Sequence, residues 1–536
     1  MSLSRALGDS ELAYFLPSRV DGANDMYLHL GFTAPTSLVN PERVALTWAI
    51  LRGRHPLLAS RVLMQPGKYD DVRFGYTLPS SPQHALKDAQ DALRIVHSTK
   101  DALIDSYLNG PRTLSNDRVS FLVLSSPYFA PQATPSLRSS PDLAPYSLPN
   151  FIQECEFDLL ICAAHFLGDS MSLHSFTNDL FSLLAASGCD SPDGTPLSDT
   201  MLQALLEREW LDRWGNTTHT LDANVILPAP LESRLPPACS TLQRVAFDVE
   251  FKCSQERLIG GHSFSRAAHG FHHTIAPTVS FDEDTTKRIL KKCKAEGVSI
   301  SNALFALCNI SWARITGGRE EQPMMMYAGL NLRPYLLPSP SNPSYWFLAI
   351  GYFNVILPTF LPASSLSSTY PSSPSPALVS TFWQRSRRTK QQILAAAKTP
   401  LLIPRVRCMA RDRSASARRF ALLDDASPDA RSIPSIPGPS PPPISARPQA
   451  PSKALLGLSL LGNLDATYKH ASYPLIATHT ITAGSRRRAG SMLLFGYTFK
   501  GRLWLSLVYD EAGYEKEQVG RWWWGILGGV REFLAQ

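Results

Sequence analysis

The sequence predicts an α/β protein in two domains, and three observations carry that prediction. At 536 residues the chain is too long for one ordinary hydrophobic core, which makes two domains the default. Within Phe157 to Leu184 a continuous apolar run gives way to a helical period, so a buried strand feeds an amphipathic helix. A second series of strand and helix signals begins near Thr274, far along the chain.

Composition bounds the class. Hydrophobic residues make up 44% and charged residues 18%, as in a soluble globular protein. The net charge of +7 is small for this length and sits partly in the runs Arg385 to Lys390 and Arg486 to Arg488. Such runs read as solvated faces, and no nucleic-acid partner is expected. The eight cysteines are scattered without a Cys-x-x-Cys pair, so no disulfide framework is implied. Cys162 and Cys308 lie in apolar patterns and read as core. The first residues show no charged region followed by an apolar segment, and no run is long enough to span a bilayer. A cytoplasmic monomer is the expectation.

In chain order, Met26 to Phe32 reads as a strand. Pro41 and Glu42 open a helix that stops before Arg54-His55-Pro56, and Leu57 to Met64 reads as a strand. Ala85 to Leu108 reads as largely helical, and Val119 to Leu124 as a strand. Tyr128 to Pro149 is a Pro/Ser-rich loop, and Met201 to Trp214 reads as helix. Signals weaken through residues 217–270, taken as a crossover between an N-terminal part, 1–216, and a C-terminal part, 271–536.

Beyond Thr274, Ile275 to Phe281 reads as a strand. Asp282 or Asp284 caps a helix through Ala295, and Ser299 or Ser301 caps the next. Met324 to Ala328 is a strand leading to Gly329-Leu-Asn-Leu-Arg333-Pro-Tyr335, with Gly351-Tyr-Phe-Asn354 nearby. Residues 424–452 hold nine of the 43 prolines and are expected to be a disordered insertion, or a segment not native to the domain. Gly490 to Phe499 and Leu503 to Tyr509 form a hairpin around Lys500-Gly501. A final helix carries Trp522, Trp523 and Trp524, which cannot share one face, and core packing is their first role.

The connection at the strand-to-helix junction, His165-Phe-Leu-Gly168-Asp169-Ser170, holds the candidate chemistry. Gly168 there can absorb an unusual backbone angle. Taken alone, Asp169 or Ser170 could be a helix N-cap and His165 a partly buried histidine. No spacing supports a metal site on His165, Asp169 and His174, and none is expected.

His165-Phe-Leu-Gly-Asp169 resembles the His-x-x-x-Asp motif of the CoA-dependent acyltransferase superfamily, which includes chloramphenicol acetyltransferase, plant BAHD enzymes, condensation domains and fungal alcohol O-acyltransferases. Many members follow the Asp with Gly; this chain has Ser170. Three further stretches match in order: the Arg-His-Pro-Leu-Leu opening, the Arg333 turn and the Gly351-x-x-Asn354 strand. The chain's ending also looks like that of the fungal enzymes.

The resemblance implies two similar chloramphenicol-acetyltransferase-like halves, each a mixed sheet with helices, and an active-site channel between them. It implies His165 as general base, His55 as a structural residue, and Asp169 turned away to pair with Arg333. The implied reaction moves an acetyl or other short acyl group from acyl-CoA, a co-substrate and not a bound cofactor, to a hydroxyl of a small-molecule alcohol. The chain's positive charge is compatible with so anionic a co-substrate. No covalent acyl-enzyme is expected, which agrees with the lack of a Gly-x-Ser-x-Gly signature. The alternatives are a free-standing condensation-type domain forming an amide from a carrier-bound thioester, and a non-catalytic binding module of the same fold.

Overall fold

The computed structural model describes residues 2–129, 154–187, 196–215, 223–237, 240–267, 272–318, 321–337, 342–362, 374–426, 451–488 and 490–535. Two large sheets organise them. The first runs Ala477–Ser485, Met26–Pro35, Glu154–Ala163, Ser120–Ser125, Leu93–Val96. The second runs Ile350–Leu357, Met324–Asn331, Ala454–Asn463, Met492–Phe499, Arg502–Asp510, with the short strands Thr274–Ile275 and Thr278–Phe281 both paired to the last. Both sheets are mixed and carry helices, giving an α/β fold of two similar halves. A smaller sheet of Ser2–Ala6, Lys68–Thr77 and Arg61–Gln65 lies beside the first.

The halves are interlocked. Ala477–Ser485, late in the chain, is the edge strand of the N-terminal sheet, antiparallel to Met26–Pro35 with Ile481 opposite Leu30. The loop 342–349 enters the N-terminal core, where Trp346 and Leu348 are buried. The helix Leu402–Ala426 lies along the helix Asp9–Ser18, and Ala417 and Ala421 join that same core. Trp504 and Val508 also face the N-terminal core, whereas Leu503, Leu505, Leu507 and Tyr509 face the C-terminal one. The alternation of one strand thus serves both halves.

Local chemistry explains the elements that position the site. Glu154–Ala163 pairs on both sides, with Met26–Pro35 and with Ser120–Ser125, and its residues from Leu159 onward are buried. A strand covered on both faces needs a continuous apolar run, which Leu159 to Ala164 supplies. In the helix Ser170–Leu184, Leu173, Phe176, Leu180 and Leu184 are buried as their spacing predicts. The hairpin closes through Lys500 and Gly501, both at positive φ, the pattern of a tight two-residue turn matched to strand twist.

Several expectations are corrected. The stretch 85–108 is two helices, Pro82–Asp91 and Lys100–Asn109, around the strand Leu93–Val96, because Leu-Arg-Ile-Val finds a parallel partner in Leu122 to Ser125. Residues 57–64 divide into a 3-10 turn, Pro56–Ala59, and the strand Arg61–Gln65. The helix from Asp199 ends at Trp210 and finishes in a wider turn, Leu211–Gly215. Thr241–Glu256, where no period was legible, is helical with only Phe251 buried.

The run Arg385 to Lys390 is not a solvated face throughout. Arg385 is 4% exposed and donates to Asn309 and to the Phe360 carbonyl. In the second run, Arg486 donates to the Tyr107 and Gly110 carbonyls and Arg487 lines an internal cavity. Trp522 and Trp523 are buried, and Trp524 is 69% exposed. The Pro-rich segment begins later than expected. Asp424 and Asp425 close the helix Leu402–Ala426, and both pair with Arg19. Residues 427–450 lie outside the described residues, as do most of the Pro/Ser-rich loop before the central strand, Cys189 and Cys239. Cys162 and Cys308 are buried core residues. Among the described residues no helix is long and apolar enough to cross a membrane.

Candidate active site

The strand Glu154–Ala163 ends beside the cleft between the halves, and a 3-10 turn, His165–Leu167, carries His165 into it. His165 Nδ1 lies 3.1 Å from the carbonyl oxygen of Gly168. A carbonyl only accepts, so the neutral imidazole carries its proton on Nδ1 and leaves the Nε2 lone pair free. The ring of Tyr14 stacks on His165 with centroids 4.1 Å apart and planes 21° from parallel. Burial holds the imidazole down to about 4, so it is neutral at ordinary pH.

Gly168 is needed for a reason other than the expected one. Its φ is 178°, extended backbone that any residue adopts. A Cβ there would stand 2.9 Å from Ser172 Oγ and 3.0 Å from Trp346 Cε3. The glycine therefore allows the close approach of the motif helix and the inserted loop, and no special angle is involved.

Asp169 has two roles that the sequence offers as competitors. Its Oδ1 caps the motif helix, accepting from the amides of Met171 at 3.0 Å and Ser172 at 3.2 Å. The same carboxylate accepts from Arg333 Nη1, 2.9 Å from Oδ1 and 2.8 Å from Oδ2, and from the Ala349 amide at 3.2 Å. Arg333 thus straddles the carboxylate with one nitrogen and does not form two parallel bonds. Its second nitrogen donates to Ser172 Oγ at 2.9 Å and to the Phe347 carbonyl at 3.2 Å. Asp169 is buried and Arg333 partly so, and the pair fastens the His165 turn to the other half.

His55 stands apart from the cleft chemistry. Its Nδ1 lies 2.9 Å from Ser344 Oγ, its ring packs on Tyr345, and burial lowers it to about 3. It joins the Arg-His-Pro turn to the inserted loop. Tyr345 continues that seam, donating to Asp179 at 2.7 Å.

A cavity of about 490 Å³ opens on His165. The N-terminal half lines it with Tyr14, Tyr27, His165 and His174, and later residues with Tyr327, Tyr352, Asn354, Arg413 and Arg487. Gly457 makes room for Tyr327, whose ring would lie 2.5 Å from a Cβ at that position. Tyr14 and Tyr352 join hydroxyl to hydroxyl, and Arg413 lies over both rings. His174 Nδ1 lies 2.8 Å from the Tyr468 hydroxyl, its Nε2 is buried without a partner, and burial lowers it to about 3. Among the described residues no group of three His, Cys, Asp or Glu could hold a metal ion.

Tyr14 and Arg413 carry no signal in the sequence, and His174 enters it only as a metal ligand that no spacing supports. Tyr352 lay within the quoted Gly-x-x-Asn stretch, and Arg487 within a basic run read as solvated. Residues brought together from helices and strands this far apart in sequence leave no spacing to read.

No protein-family model matches the chain, and no curated protein matches it in sequence. Solved structures do match. A trichothecene 15-O-acetyltransferase from Fusarium sporotrichioides aligns over 99% of this chain and 95% of its own, at 14% identity and a TM-score of 0.68. The chain has the acyltransferase and condensation-domain fold. The cyclization-docking bidomain of a nonribosomal peptide synthetase from Sorangium cellulosum aligns over 99% of this chain and 85% of its own, at 10% identity and TM-score 0.51. Polyketide synthase associated protein 5 from Mycobacterium tuberculosis covers 100% and 98%, also at 10% and 0.51. Identities this low speak for the shared fold alone.

Proposed function

We propose that this protein is an O-acyltransferase that moves an acyl group, acetyl or another short chain, from acyl-CoA to a hydroxyl of a small-molecule alcohol. The observation that carries the reading is the state of His165. Its Nδ1 proton is committed to the Gly168 carbonyl, and its free Nε2 belongs to an imidazole that opens on a cavity lined by both halves. That is the arrangement a general base requires.

In this reading His165 Nε2 removes the proton of the acceptor hydroxyl as its oxygen attacks the thioester carbonyl. A C–O bond forms, the C–S bond of the tetrahedral intermediate breaks, and the imidazolium returns the proton to the departing thiolate. No residue is acylated. Most of the acceleration would come from holding acceptor and thioester on one imidazole. The low basicity that burial gives His165 suits a base that is always unprotonated at neutral pH, at some cost in proton affinity. Asp169 and Arg333 act as positioning residues that fix the turn carrying the base.

The test is turnover. The purified protein, given acetyl-CoA and pooled alcohols, should release free CoA thiol and form an ester detectable by mass spectrometry. The fold is shared with synthetase domains, so the second arm offers the acyl group on a carrier protein together with an amine. Activity confined to that arm would replace this reading with amide formation. Thiol release and ester formation with free CoA thioesters would support it.

A further inference from the structure

Among the described residues, the cavity beside His165 is lined by two guanidinium groups and no carboxylate. Arg413 comes from the helix Leu402–Ala426, and Arg487 follows the strand Ala477–Ser485. Arg413 is hydrogen-bonded to the hydroxyls of Tyr14 and Tyr352, and no carboxylate of the cavity lining among the described residues faces either arginine. Arg413 Cζ rests 5.1 Å from the centre of the Tyr14 ring and 4.4 Å from that of Tyr352. Arg487 faces the phenols of Tyr327, Tyr14 and Tyr27, and its Nε is buried with no hydrogen-bond partner. Arg5, Arg43 and Arg333 each hold a carboxylate, Glu11, Asp199 and Asp169, whereas Arg413 and Arg487, like the buried Arg385, meet only neutral partners. A guanidinium taken from water without an anion is costly, and a bound anion would offset that cost.

We propose that Arg413 and Arg487 form an anion-binding subsite that takes a substrate carboxylate next to the reacting centre. The subsite rests on the acyl-transfer reading. The carboxylate sits either on the acceptor, which is then a hydroxy acid, or on the acyl chain. CoA phosphates are a poor match, because the whole pantetheine arm separates them from the thioester. The two arginines, by contrast, belong to the surroundings of the base. Arg413 lies on the same Tyr14 ring that stacks on His165, and the Arg487 charge acts directly against protonation of His165. A planar guanidinium matches a carboxylate with paired hydrogen bonds, and the phenols beside it hold its plane.

The experiment compares acids with their esters on the full chain. Mandelate, 3-hydroxybenzoate and 3-hydroxydecanoate are each offered beside their methyl esters with acetyl-CoA. Malonyl-CoA is offered beside acetyl-CoA with benzyl alcohol. One charged member is expected to exceed its neutral partner in kcat/KM by about tenfold to a hundredfold, the worth of hydrogen bonds to a charged group. That ratio should collapse toward unity in Arg487→Gln and Arg413→Gln. The ratio is internal to each preparation, so partial unfolding does not mimic the result. A preference among acceptors places the carboxylate on the alcohol; a preference for malonyl-CoA places it on the acyl group. Equal turnover of acids and esters, with no preference for malonyl-CoA, overturns the subsite and leaves acyl transfer standing. Saturation-transfer NMR of the same acids and esters needs no turnover. Acid binding that is lost in Arg487→Gln, in a protein that transfers no acyl group, would keep the subsite and remove the acyl-transfer reading.

Discussion

Arg333 Nη1 stands 2.9 and 2.8 Å from the two carboxylate oxygens of Asp169, joining the C-terminal half to the turn that carries His165. Removing one partner of a buried pair leaves the other desolvated, which costs about 3–5 kcal/mol when burial is complete. Arg333 keeps 23% of its side-chain exposure, so the lower end of that range is expected. Asp169→Asn retains an oxygen to cap the helix but loses the charge, which separates the two roles. A double-mutant cycle with Arg333→Gln should give a coupling of about 1–3 kcal/mol in denaturant unfolding and a matching non-additivity in kcat. Strictly additive effects would mean that the cap alone matters.

Gly168→Ala probes spacing and not backbone angle. The added methyl would meet Ser172 and Trp346, so overpacking of about 1–3 kcal/mol is expected. The same shift would move the Gly168 carbonyl that fixes the His165 tautomer. Turnover should therefore fall further than the loss of stability explains, with little change in KM. A variant with wild-type kcat would show that the turn tolerates the displacement.

Tyr14 bears on His165 through its ring and on Tyr352 through its hydroxyl. Tyr14→Phe keeps the stack and should retain most of the turnover. Tyr14→Leu removes it and should lower kcat by about tenfold or more, because a loosened imidazole spends less time aligned. Equal loss in both variants would assign the role to the hydroxyl instead.

Acid sensitivity follows from the buried imidazoles. His165 is lowered to about 4, and His55 and His174 to about 3, chiefly by burial. Their ordinary value is about 6.5, so below it the unfolded chain binds more protons than the folded one. Each group therefore makes stability fall as pH drops from about 6.5 toward its folded value, by about 1.4 kcal/mol per pH unit. Asp25 works in the opposite sense. Burial raises its carboxyl to about 6, so between there and its ordinary value near 4 the folded form binds more protons. The three histidines should outweigh it, and melting temperature should decline on acidification below pH 6.5. Ring carbon shifts of labelled histidines should show these three still neutral at pH 5. In kinetics, the acid limb of kcat/KM should fall near pH 4. A limb near pH 6.5 would mean that the base is solvated in the working enzyme.

Local pattern made the strand before His165, the helix after it and the Lys500-Gly501 hairpin legible, since each is fixed by its own period and turn chemistry. The Asp169–Arg333 pairing came from resemblance, not from any signal in the residues themselves. What escaped was decided at long range. Leu93 to Val96 is too short to announce a strand until Leu122 to Ser125 lies beside it. Arg385 and Arg487 look like ordinary surface charges in a basic run, and only the fold surrounds them. The cavity draws on segments from Tyr14 to Phe495, so its lining has no sequence signature.

The central claim is that His165 is the general base of a CoA-dependent acyl transfer. Its most direct test is single-turnover thiol release from acetyl-CoA in the presence of an accepted alcohol, comparing wild type with His165→Ala. General base catalysis is typically worth about 10²–10⁴-fold, and a loss of that size is predicted with the melting temperature little changed and acetyl-CoA still bound. A folded His165→Ala protein that keeps more than about half of the wild-type rate, beyond any general-base contribution of that size, would contradict the account.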